Sequence, residues 1–368
     1  MSSSQTFQIA VFPGDGIGHE ITPPALELLR QVAKRVGGFD FEFRTMEAGA
    51  AAYKKWGVAL SEACLHSAQE ADAILLAAMG LPDIRYPDGT EIVPQIDLRI
   101  ALQLYAGIRP IRSIPNVPSP LGDKRAKALD VVLVRESTEG LFHAMGQGRG
   151  TIVDDAYCDD TMRITRTGTS RVVEAAFTLA RHRKAQGLPG RVTCVDKANV
   201  FSSLAFFRQV FDERAVENAD IVADHAYVDA MATNLVMRPW DYDVMVMENM
   251  FGDILSDLGA GLVGGLGYAP SIDLGDEHAV FQPCHGTAPD IAGKGIANPT
   301  AMLLSAGLML EWLGSKHGED KAKEAGALIA AAVDQAFING LITHENGGSD
   351  GVKEVTNTVS ESLKTVMI

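Results

Sequence analysis

The sequence has no long apolar run and no leader of the secretory type. Its longest apolar stretches, Ile74 to Met79 and Ala301 to Leu310, fall far below the roughly 18 residues that a membrane-spanning helix needs. Residues Met1 to Gln5 offer neither the basic region nor the apolar core of a signal peptide. We therefore expect a protein that does not bind membranes.

Cysteine and basic residues are also scarce. The four cysteines show no CxxC spacing, which argues against a disulfide scaffold or a zinc knuckle and favours the reducing cytoplasm. The 32 Lys and Arg are outnumbered by 47 Asp and Glu, for a net charge of −15. A chain this acidic lacks the basic surface that nucleic acids require. Small anionic substrates stay possible if arginines are concentrated locally.

Short apolar runs alternate with helical periodicity along the chain. Strands are predicted at 7–12, 39–43, 73–78, 131–134, 191–195, 220–223, 243–247 and 279–281. Helices are predicted at 23–36, 97–105, 170–186, 202–213, 227–237, from about 253, at 299–313 and at 321–339. This alternation predicts an α/β fold with a largely parallel, doubly covered sheet.

The length of 368 residues suggests roughly two domains. The segments 105–128 and 259–270 are the least regular connections, and we interpret them as crossings between domains. The first domain is then discontinuous, with residues 1–104 plus 266–368. The second comprises residues 105–265.

A glycine-rich segment, Pro13 to Gly18, lies between a predicted strand and a predicted helix. This placement suits a phosphate or dinucleotide, and a merely tight turn is an equal alternative. The GxGxxG fingerprint of the Rossmann fold fails because position 19 is His19.

Three aspartates are candidate metal ligands. Asp253 and Asp257 are four apart on a predicted helix, so they share one face, just after the strand at 243–247. Asp229 lies in another predicted helix. Oxygen ligands without a His/Cys cluster favour Mg²⁺ or Mn²⁺ over zinc, although a solvated aspartate pair is the more common arrangement.

Arginine and lysine residues lie at the ends of predicted elements. Arg99 and Arg109 flank a short predicted helix, and Arg135 ends the strand at 131–134. Guanidinium forks suit carboxylates, so the alternatives are an anion pocket formed by all three and, for each arginine taken singly, a surface salt bridge. Lys197 follows the strand at 191–195 and is either a catalytic base or an exposed lysine.

Four segments together resemble one enzyme family, the β-decarboxylating dehydrogenases. They are PGDGIGHE at 13–20, VDKANV at 195–200, ENMFGDILSD at 248–257, and HGTAPDIAG at 285–293 ahead of Asn298 and Pro299. The family includes the isopropylmalate, isocitrate, homoisocitrate and tartrate/D-malate enzymes. The resemblance runs in order from about residue 7 to the last helix. It implies an isopropylmalate/isocitrate dehydrogenase-like fold rather than a Rossmann fold, which accounts for the failed fingerprint.

The resemblance also implies roles for the substrate and metal residues. Arg99, Arg109 and Arg135 would hold the carboxylates of a malate-type hydroxy acid; Asp253 and Asp257 would bind Mg²⁺ or Mn²⁺; Asp229 and Lys197 would come from a partner subunit, with Lys197 taking the hydroxyl proton. A homodimer with shared active sites follows. The second domain would carry its interface and an arm-like excursion near 143–168.

The cofactor residues follow from the same resemblance. Asn199 would approach the nicotinamide, and the adenosine would be wrapped by His285, Gly286, Ala288, Pro289, Asp290 and Ile291, with Asn298 near the adenine. Members that use NADP place Lys and Tyr where this chain has Asp290 and Ile291. A carboxylate accepts hydrogen bonds from a ribose 2′-hydroxyl and repels a 2′-phosphate, so NAD is predicted.

The chain departs from the family at one catalytic position. Seven residues after Arg135 the family has a tyrosine that protonates the enol, whereas this chain has Phe142. His143, Tyr157 or a water are the possible substitutes. We hypothesise that decarboxylation or re-ketonisation is slower here than in the tyrosine-bearing enzymes.

Substrate choice is expected to depend on the segment before Arg99. Gln95 interrupts the apolar residues Val93 and Ile96, which favours a small or polar substituent on the third substrate carbon, as in tartrate, malate or isocitrate. Arg85 would bind a γ-carboxylate or, more commonly for such arginines, join a loop salt bridge.

The sequence therefore predicts an NAD- and Mg²⁺/Mn²⁺-dependent enzyme of the isopropylmalate dehydrogenase type. We expect it to oxidise a 3-substituted malate and to decarboxylate the product. Tartrate/D-malate or isocitrate/homoisocitrate dehydrogenase is the alternative. From other classes, Phe142 favours a non-catalytic regulatory paralogue that binds nucleotide, and the failed fingerprint argues against an ordinary Rossmann dehydrogenase.

Overall fold

The computed structural model of the chain describes residues 5–146 and 151–368. Its strands are β1 Gln5–Gly14, β2 Phe39–Thr45, β3 Ala73–Ala78, β4 Ala106–Arg112, β5 Asp130–Glu136, β6 Thr151–Val153, β7 Tyr157–Asp159, β8 Arg191–Asp196, β9 Val222–Tyr227, β10 Val244–Met247, β11 Pro270–Leu274 and β12 Ala279–Pro283. Its α-helices are α1 Gly18–Val36, α2 Ala50–Trp56, α3 Glu62–Glu70, α4 Pro94–Ala101, α5 Phe142–Gly146, α6 Arg166–Ala185, α7 Ser202–Glu217, α8 Val228–Met237, α9 Asn249–Leu262, α10 Thr300–His317, α11 Asp320–Ile338 and α12 Val352–Thr365.

Ten strands form one continuous sheet. Their order is β2-β1-β3-β12-β11-β4-β5-β10-β8-β9. The strands on both flanks pair in parallel, whereas β11 and β4 in the middle pair antiparallel with each other and with their outer neighbours β12 and β5. The predicted α/β class and largely parallel sheet are confirmed.

The first flank of the sheet is buried on both faces. Ile9 and Val11 of β1 face a core built with α1, α10, α11 and α12, while the alternate residues Ala10 and Phe12 face a second core with α3 and α4. All six residues of β3 are buried. A strand covered on both faces reads as a continuous apolar run, which is why this part was predictable.

The other flank is covered in the same way. Val192 and Val244 pack with α6 and α7, whereas Val195 and Met245 pack with α8 and α9. The division into a discontinuous first domain and a second domain is not tested by these contacts and stays a prediction.

Two predicted helix starts were wrong, because backbone and side-chain caps lie further upstream. The helix α1 begins at Gly18 and carries Pro23 and Pro24 in its interior, since the amides of Glu20 and Ile21 already donate to the Ile17 carbonyl. The predicted start at the proline pair is therefore corrected.

The helix α9 starts at Asn249 and not near Asp253. The carboxylate of Glu248 accepts hydrogen bonds from the amides of Met250 and Phe251, which caps the helix. Asp253 accordingly lies in the second turn. The helix predicted at 97–105 is also shifted, since α4 spans Pro94–Ala101.

One predicted irregular crossing contains a strand of the sheet, and the other leads into one. The strand β4 lies in the segment 105–128, whereas β11 begins at Pro270, the last residue of the segment 259–270. Their sequences, AGIRPIR and PSIDL, mix proline and charge into the apolar pattern, so neither has the alternation of an ordinary strand. These two strands build the candidate site.

The region of the predicted arm holds a small separate sheet in which β6 and β7 pair antiparallel. Residues 147–150 of that arm lie outside the described residues. Within the part that is described, no helix combines the length and apolar character needed to cross a membrane.

Candidate active site

A cavity of about 270 Å³ opens beside the antiparallel middle of the sheet. Nine of the predicted site residues line it, namely Gln95, Arg99, Arg109, Arg135, Phe142, Asp253, Asp257, His285 and Gly286. The three arginines are buried, with exposures of 6 to 7%. Arginines in surface salt bridges are normally exposed, whereas these three are buried and face a cavity. The anion-pocket interpretation is therefore favoured for all three together. We call Arg99, Arg109 and Arg135 the arginine pocket.

Strand register brings the arginine pocket together. Asp273 of β11, Gly107 of β4 and Arg135 of β5 lie side by side across three strands. Arg109 is two residues beyond Gly107 and so shares its face of the sheet. A Cβ on Gly107 would lie 3.3 Å from Nη2 of Arg109. Glycine at this position therefore leaves room for the guanidinium group.

The arginine pocket is held by an aspartate that the sequence reasoning missed. Asp273 is 2% exposed, and its Oδ2 accepts hydrogen bonds from Nη2 and Nε of Arg99 at 2.8 and 3.2 Å. Its Oδ1 accepts from Nη2 of Arg109 at 2.9 Å. Burial opposes ionisation, but the two neighbouring cations outweigh it and hold the pKa of Asp273 well below its usual range. A charged residue inside the short apolar strand was the only signal available.

Arg135 is held from another direction. Its Nη2 and Nε donate to Oδ1 of Asn249 at 2.6 and 3.2 Å, and its Nη1 pairs with Asp253. Burial lowers the pKa of Arg135 to about 10; Asp253 opposes this shift, while the nearby Arg99 and Arg109 add to it. The three cations thus lie close enough to repel one another, which an anionic ligand would relieve.

The positions of Arg99 and Arg109 correct one prediction. They do not flank a helix: Arg99 lies within α4 and Arg109 within β4. The convergence of helix and strand on one cavity depends on β4 folding back antiparallel to β5, which the sequence pattern did not reveal.

Phe142 faces the arginine pocket, where its ring centre lies 5.9 Å from Cζ of Arg135. Of the predicted substitutes for the missing tyrosine, His143 follows it in α5 but does not line the cavity, and Nε2 of His143 is buried without a hydrogen-bond partner among the described residues. Tyr157 is 56% exposed on β7. A proton donor is therefore not placed at the cavity by either side chain.

Asp253 and Asp257 project from one face of α9 at the cavity. Partial burial and the charge of Asp253 raise the pKa of Asp257. A pair of neighbouring carboxylates on one helix face is suited to a divalent cation. No group of three His, Cys, Asp or Glu within 5–146 and 151–368 is arranged to hold a metal ion. Two of the three predicted ligands are adjacent, and the third is not with them.

That third residue, Asp229, pairs instead with Lys197 on the far side of β10. Nζ of Lys197 donates to Oδ1 of Asp229, and this hydrogen bond lowers the pKa of Asp229. The Asp229 side chain is 67% exposed, and neither residue is among those described as lining the cavity. We call Lys197 and Asp229 the lysine pair. Asn199, exposed just after β8, lies near it in sequence.

Large apolar side chains are exposed around the lysine pair. They lie after β8, on the edge strand β9 and on the adjoining helices α8 and α9, and their exposures range from 38% to 68%: Val200, Phe201, Val222, Tyr227, Val236, Met237, Met250 and Ile254. Exposed apolar surface of this kind is typical of interaction sites.

The predicted cofactor segment borders the other side of the cavity. Burial lowers the pKa of His285, whose Nε2 has no hydrogen-bond partner among the described residues. Ala288 has a positive φ of 39°, and Pro289 and Asp290 are exposed, with Ile291 half-buried beside them. Asp290 is therefore free to face a ligand from solvent.

The far end of this segment is fixed by hydrogen bonds. Nδ2 of Asn298 donates to Glu345, and Oδ1 of Asn298 accepts from the amide of Thr300 at 3.0 Å. Glu20 of α1 accepts from the amides of Gly293 and Gly295. The segment is thus held by Glu20 of α1 near its middle and by Glu345 and the start of α10 at its end.

The glycine-rich segment after β1 has a packing role. A Cβ on Gly14 would lie 1.8 Å from the carbonyl oxygen of Ala78, and one on Gly16 would lie 2.1 Å from that of Thr287. Asp15 is buried and accepts hydrogen bonds from three backbone amides, including those that begin α2. The tight-turn alternative accounts for both glycines.

Gln95 lines the cavity, and its Oε1 is buried without a hydrogen-bond partner among the described residues. Arg85 donates from Nε to the carbonyl of Pro82 at 3.1 Å and from Nη1 to that of Gly89 at 3.3 Å. Arg85 is thus engaged within its own loop and is not part of the cavity wall.

Comparison with known proteins identifies the family. The isocitrate/isopropylmalate dehydrogenase family matches residues 8–362. The chain is 40% identical to the 3-isopropylmalate/3-methylmalate dehydrogenase of Methanocaldococcus jannaschii, over 97% of this chain and 99% of that protein. It is 38% identical to the 3-isopropylmalate dehydrogenase of Aquifex aeolicus, with 97% of both covered. The crystal structure of isocitrate dehydrogenase from Methylococcus capsulatus superposes with a TM-score of 0.85 at 33% identity, over 98% of this chain and all of that one. The chain therefore belongs to the isocitrate/isopropylmalate dehydrogenase family.

Proposed function

We propose that this protein oxidises a 3-substituted malate with NAD and a divalent cation, and that the oxidised product then loses its β-carboxylate. The observation that carries the proposal is the arginine pocket, in which three buried guanidinium groups share one cavity with Asp253 and Asp257. A hydroxy acid with two carboxylates requires this combination of anion and cation sites.

The arginine pocket would bind and orient the substrate. Arg99 and Arg109 are held rigidly by Asp273, and Arg135 by Asn249, so their remaining donors are preorganised for substrate carboxylates. Neutralisation of the mutually repelling cations would contribute to substrate affinity.

Asp253 and Asp257 would hold Mg²⁺ or Mn²⁺ at the cavity mouth, together with Asp229 of the partner subunit. A bound divalent cation would supply Lewis-acid stabilisation of negative charge on the substrate oxygen. The fit rests on the paired carboxylates of α9, where the raised pKa of Asp257 reflects burial and the negative charge of the neighbouring Asp253.

The lysine pair would move the hydroxyl proton. The amine of Lys197 needs to be neutral to accept a proton, and its partner Asp229 is the group within reach to orient it and to share the charge that results. Because the lysine pair lies apart from the cavity of its own chain, we propose that it serves the cavity of a second copy. The exposed apolar residues around the pair would then be the interface of a homodimer.

The segment from His285 to Asn298 would bind NAD. The exposed carboxylate of Asp290 suits a ribose 2′-hydroxyl and disfavours a 2′-phosphate. Asn199 of the partner subunit would approach the nicotinamide. NAD would be the hydride acceptor. The unpaired cysteines agree with a cytoplasmic location, which stays part of the proposal.

Two tests separate the proposed reaction from its alternatives. The purified protein with Mn²⁺ is offered 3-isopropylmalate, D-malate, tartrate and isocitrate, and NADH and CO₂ are measured in parallel. We expect NADH from at least one substrate, with NAD preferred over NADP. NADH without CO₂ would make the enzyme a simple dehydrogenase in which Phe142 blocks the last steps.

The non-catalytic alternative has its own signature. If no substrate yields NADH while NAD and a malate analogue still raise the melting temperature together, the chain is a binding paralogue. The variant Lys197→Met serves as the matched control, since it should bind both compounds and form no NADH.

A further inference from the structure

The arginine pocket contains one negative charge that no catalytic step requires. We propose that Asp273 is a specificity-determining residue which sets the charge of the pocket so that it accepts dianionic substrates and rejects trianionic ones. This inference rests on the proposed function and deepens it by naming the substrate class, a malate dianion with an uncharged substituent on its third carbon.

The first argument is the charge balance. Three guanidinium cations and the carboxylate of Asp273 leave a net charge of +2 beside the substrate. Two substrate carboxylates match this charge. Asp253 and Asp257 stand outside the balance because a divalent cation would offset them.

The second argument is that the surroundings of Asp273 favour its charged form. The neighbouring Arg99 and Arg109 overcome the effect of burial and hold its pKa well below the usual range. Nε2 of Gln282 donates the fourth hydrogen bond that the carboxylate accepts, to Oδ2 at 2.8 Å. The carboxylate is saturated with donors, so the substrate competes with a fixed anion for the same guanidinium groups.

The third argument is that the described wall of the cavity offers no further cation. Apart from the arginine pocket it contains no Lys or Arg, and burial lowers the pKa of His285, which disfavours its charged form. Arg85 donates to carbonyls of its own loop instead. A third substrate carboxylate would therefore be desolvated without a further cation from this chain, while the amine of the partner's Lys197 would be engaged with the substrate hydroxyl.

The fourth argument concerns the neutral side of the cavity. Oε1 of Gln95 is buried and has no hydrogen-bond partner among the described residues. A carboxylate placed against this carbonyl oxygen would be repelled, whereas a hydroxyl group would donate to it. Gln95 and Asp273 thus select in the same direction.

The test measures binding without catalysis, with Mg²⁺ present to offset Asp253 and Asp257 and with NAD left out. Calorimetry compares 2-methylsuccinate, a dianion, with tricarballylate, a trianion, on the wild-type protein and on Asp273→Asn. We expect the wild type to bind the dianion at least about tenfold more tightly. In D273N the carboxylate is replaced by a neutral amide of the same shape, and we expect the ratio to shift by about tenfold or more towards the trianion.

The matched control is Asp334→Asn. The carboxylate of Asp334 accepts hydrogen bonds of 2.8 and 2.9 Å from Arg112, and this pair does not line the cavity. It should leave the ratio unchanged. Equal shifts in D273N and D334N, or no shift in D273N, would overturn the proposal. The wild-type ratio decides the matter even if D273N does not fold, since tighter binding of tricarballylate contradicts the charge balance.

Failure of this inference differs from failure of the proposed function. If the wild type forms NADH from isocitrate as efficiently as from D-malate or tartrate, the enzyme function stands and the selection by Asp273 is wrong. If neither class gives NADH, the proposed function fails while the binding ratio can still be measured.

Discussion

The arginine pocket and the lysine pair differ in burial and in the number of hydrogen bonds that hold their side chains. The arginine pocket is buried. Asp273 holds Arg99 and Arg109, and Asn249 holds Arg135. The lysine pair consists of two polar side chains on an open surface, with one hydrogen bond between them. The same chain therefore contains a buried cavity whose cations are fixed in place and an exposed polar pair that the chain itself leaves uncovered.

This difference indicates where a second molecule belongs. A buried cavity lined by cations needs a ligand, and an exposed polar pair surrounded by apolar side chains needs a protein surface. If a second copy covers the lysine pair, burial by that copy would complete it. Substitutions in the arginine pocket and in the lysine pair should therefore affect different steps of the reaction.

Removal of the lysine amine should affect catalysis and leave binding alone. For Lys197→Met we expect kcat to fall by about 10² to 10⁴, the usual contribution of a general base, with little change in KM. Steady-state NADH formation measures both values. Lys184→Met, which removes a surface lysine bonded to the Asp220 carbonyl, should behave as the wild type. A large rise in KM for K197M would place the lysine in substrate binding.

Shortening an arginine of the pocket should have the opposite effect. Arg135→Lys loses the fork that bonds Asn249 at two nitrogens, so substrate binding should weaken by about 2 kcal/mol, or roughly thirtyfold in KM. The surface variant Arg181→Lys provides the control, because its ion pair with Asp220 is exposed. An R135K enzyme with an unchanged KM would show that the arginine pocket is not the carboxylate site.

Addition of a proton donor to the arginine pocket should speed the last steps. Phe142→Tyr places a hydroxyl group near Arg135, and we expect the rate of CO₂ and ketone release to rise by about tenfold or more. Phe142→Leu carries no proton and should give no increase. If the tyrosine variant does not exceed the wild type, another group or a water already serves as the donor.

A change of the neutral wall should alter substrate preference alone. Gln95→Leu removes a buried acceptor that lacks a partner, so the ratio of kcat/KM for 3-isopropylmalate over tartrate should rise by about fivefold, near 1 kcal/mol. The remote surface variant Gln31→Leu should leave the ratio as it is. A ratio that falls in Q95L would contradict the proposed position of the third substrate carbon.

The sequence predicted those parts of the molecule whose residues follow a simple pattern. The buried strand β3 was recognised from its unbroken apolar run, and its predicted range is the observed one. The family prediction and the enzyme class are confirmed, because long motifs such as HGTAPDIAG are specific. The roles of the individual site residues stay predictions.

The parts that were missed are those where function disturbs the pattern. The strand β4 carries two arginines and a proline and was interpreted as part of an irregular connection. The strand β11 carries the buried Asp273, begins where the second irregular connection ends and was not predicted as a strand. Their polar residues are compensated only by contacts distant in sequence, such as that of Asp273 with Arg99. Pairing of this kind cannot be inferred from local periodicity.

The central claim is that each active site takes its lysine pair from a second copy of the chain. Two inactive variants, Lys197→Met and Asp257→Asn, are denatured together, refolded at equal concentrations and assayed for NADH formation. In a mixed dimer one site has both an intact cavity and an intact lysine pair, so about a quarter of the wild-type activity should return. Each variant refolded alone should stay inactive. If the mixture is as inactive as its components, the active site lies within a single chain and the proposal of shared active sites is wrong.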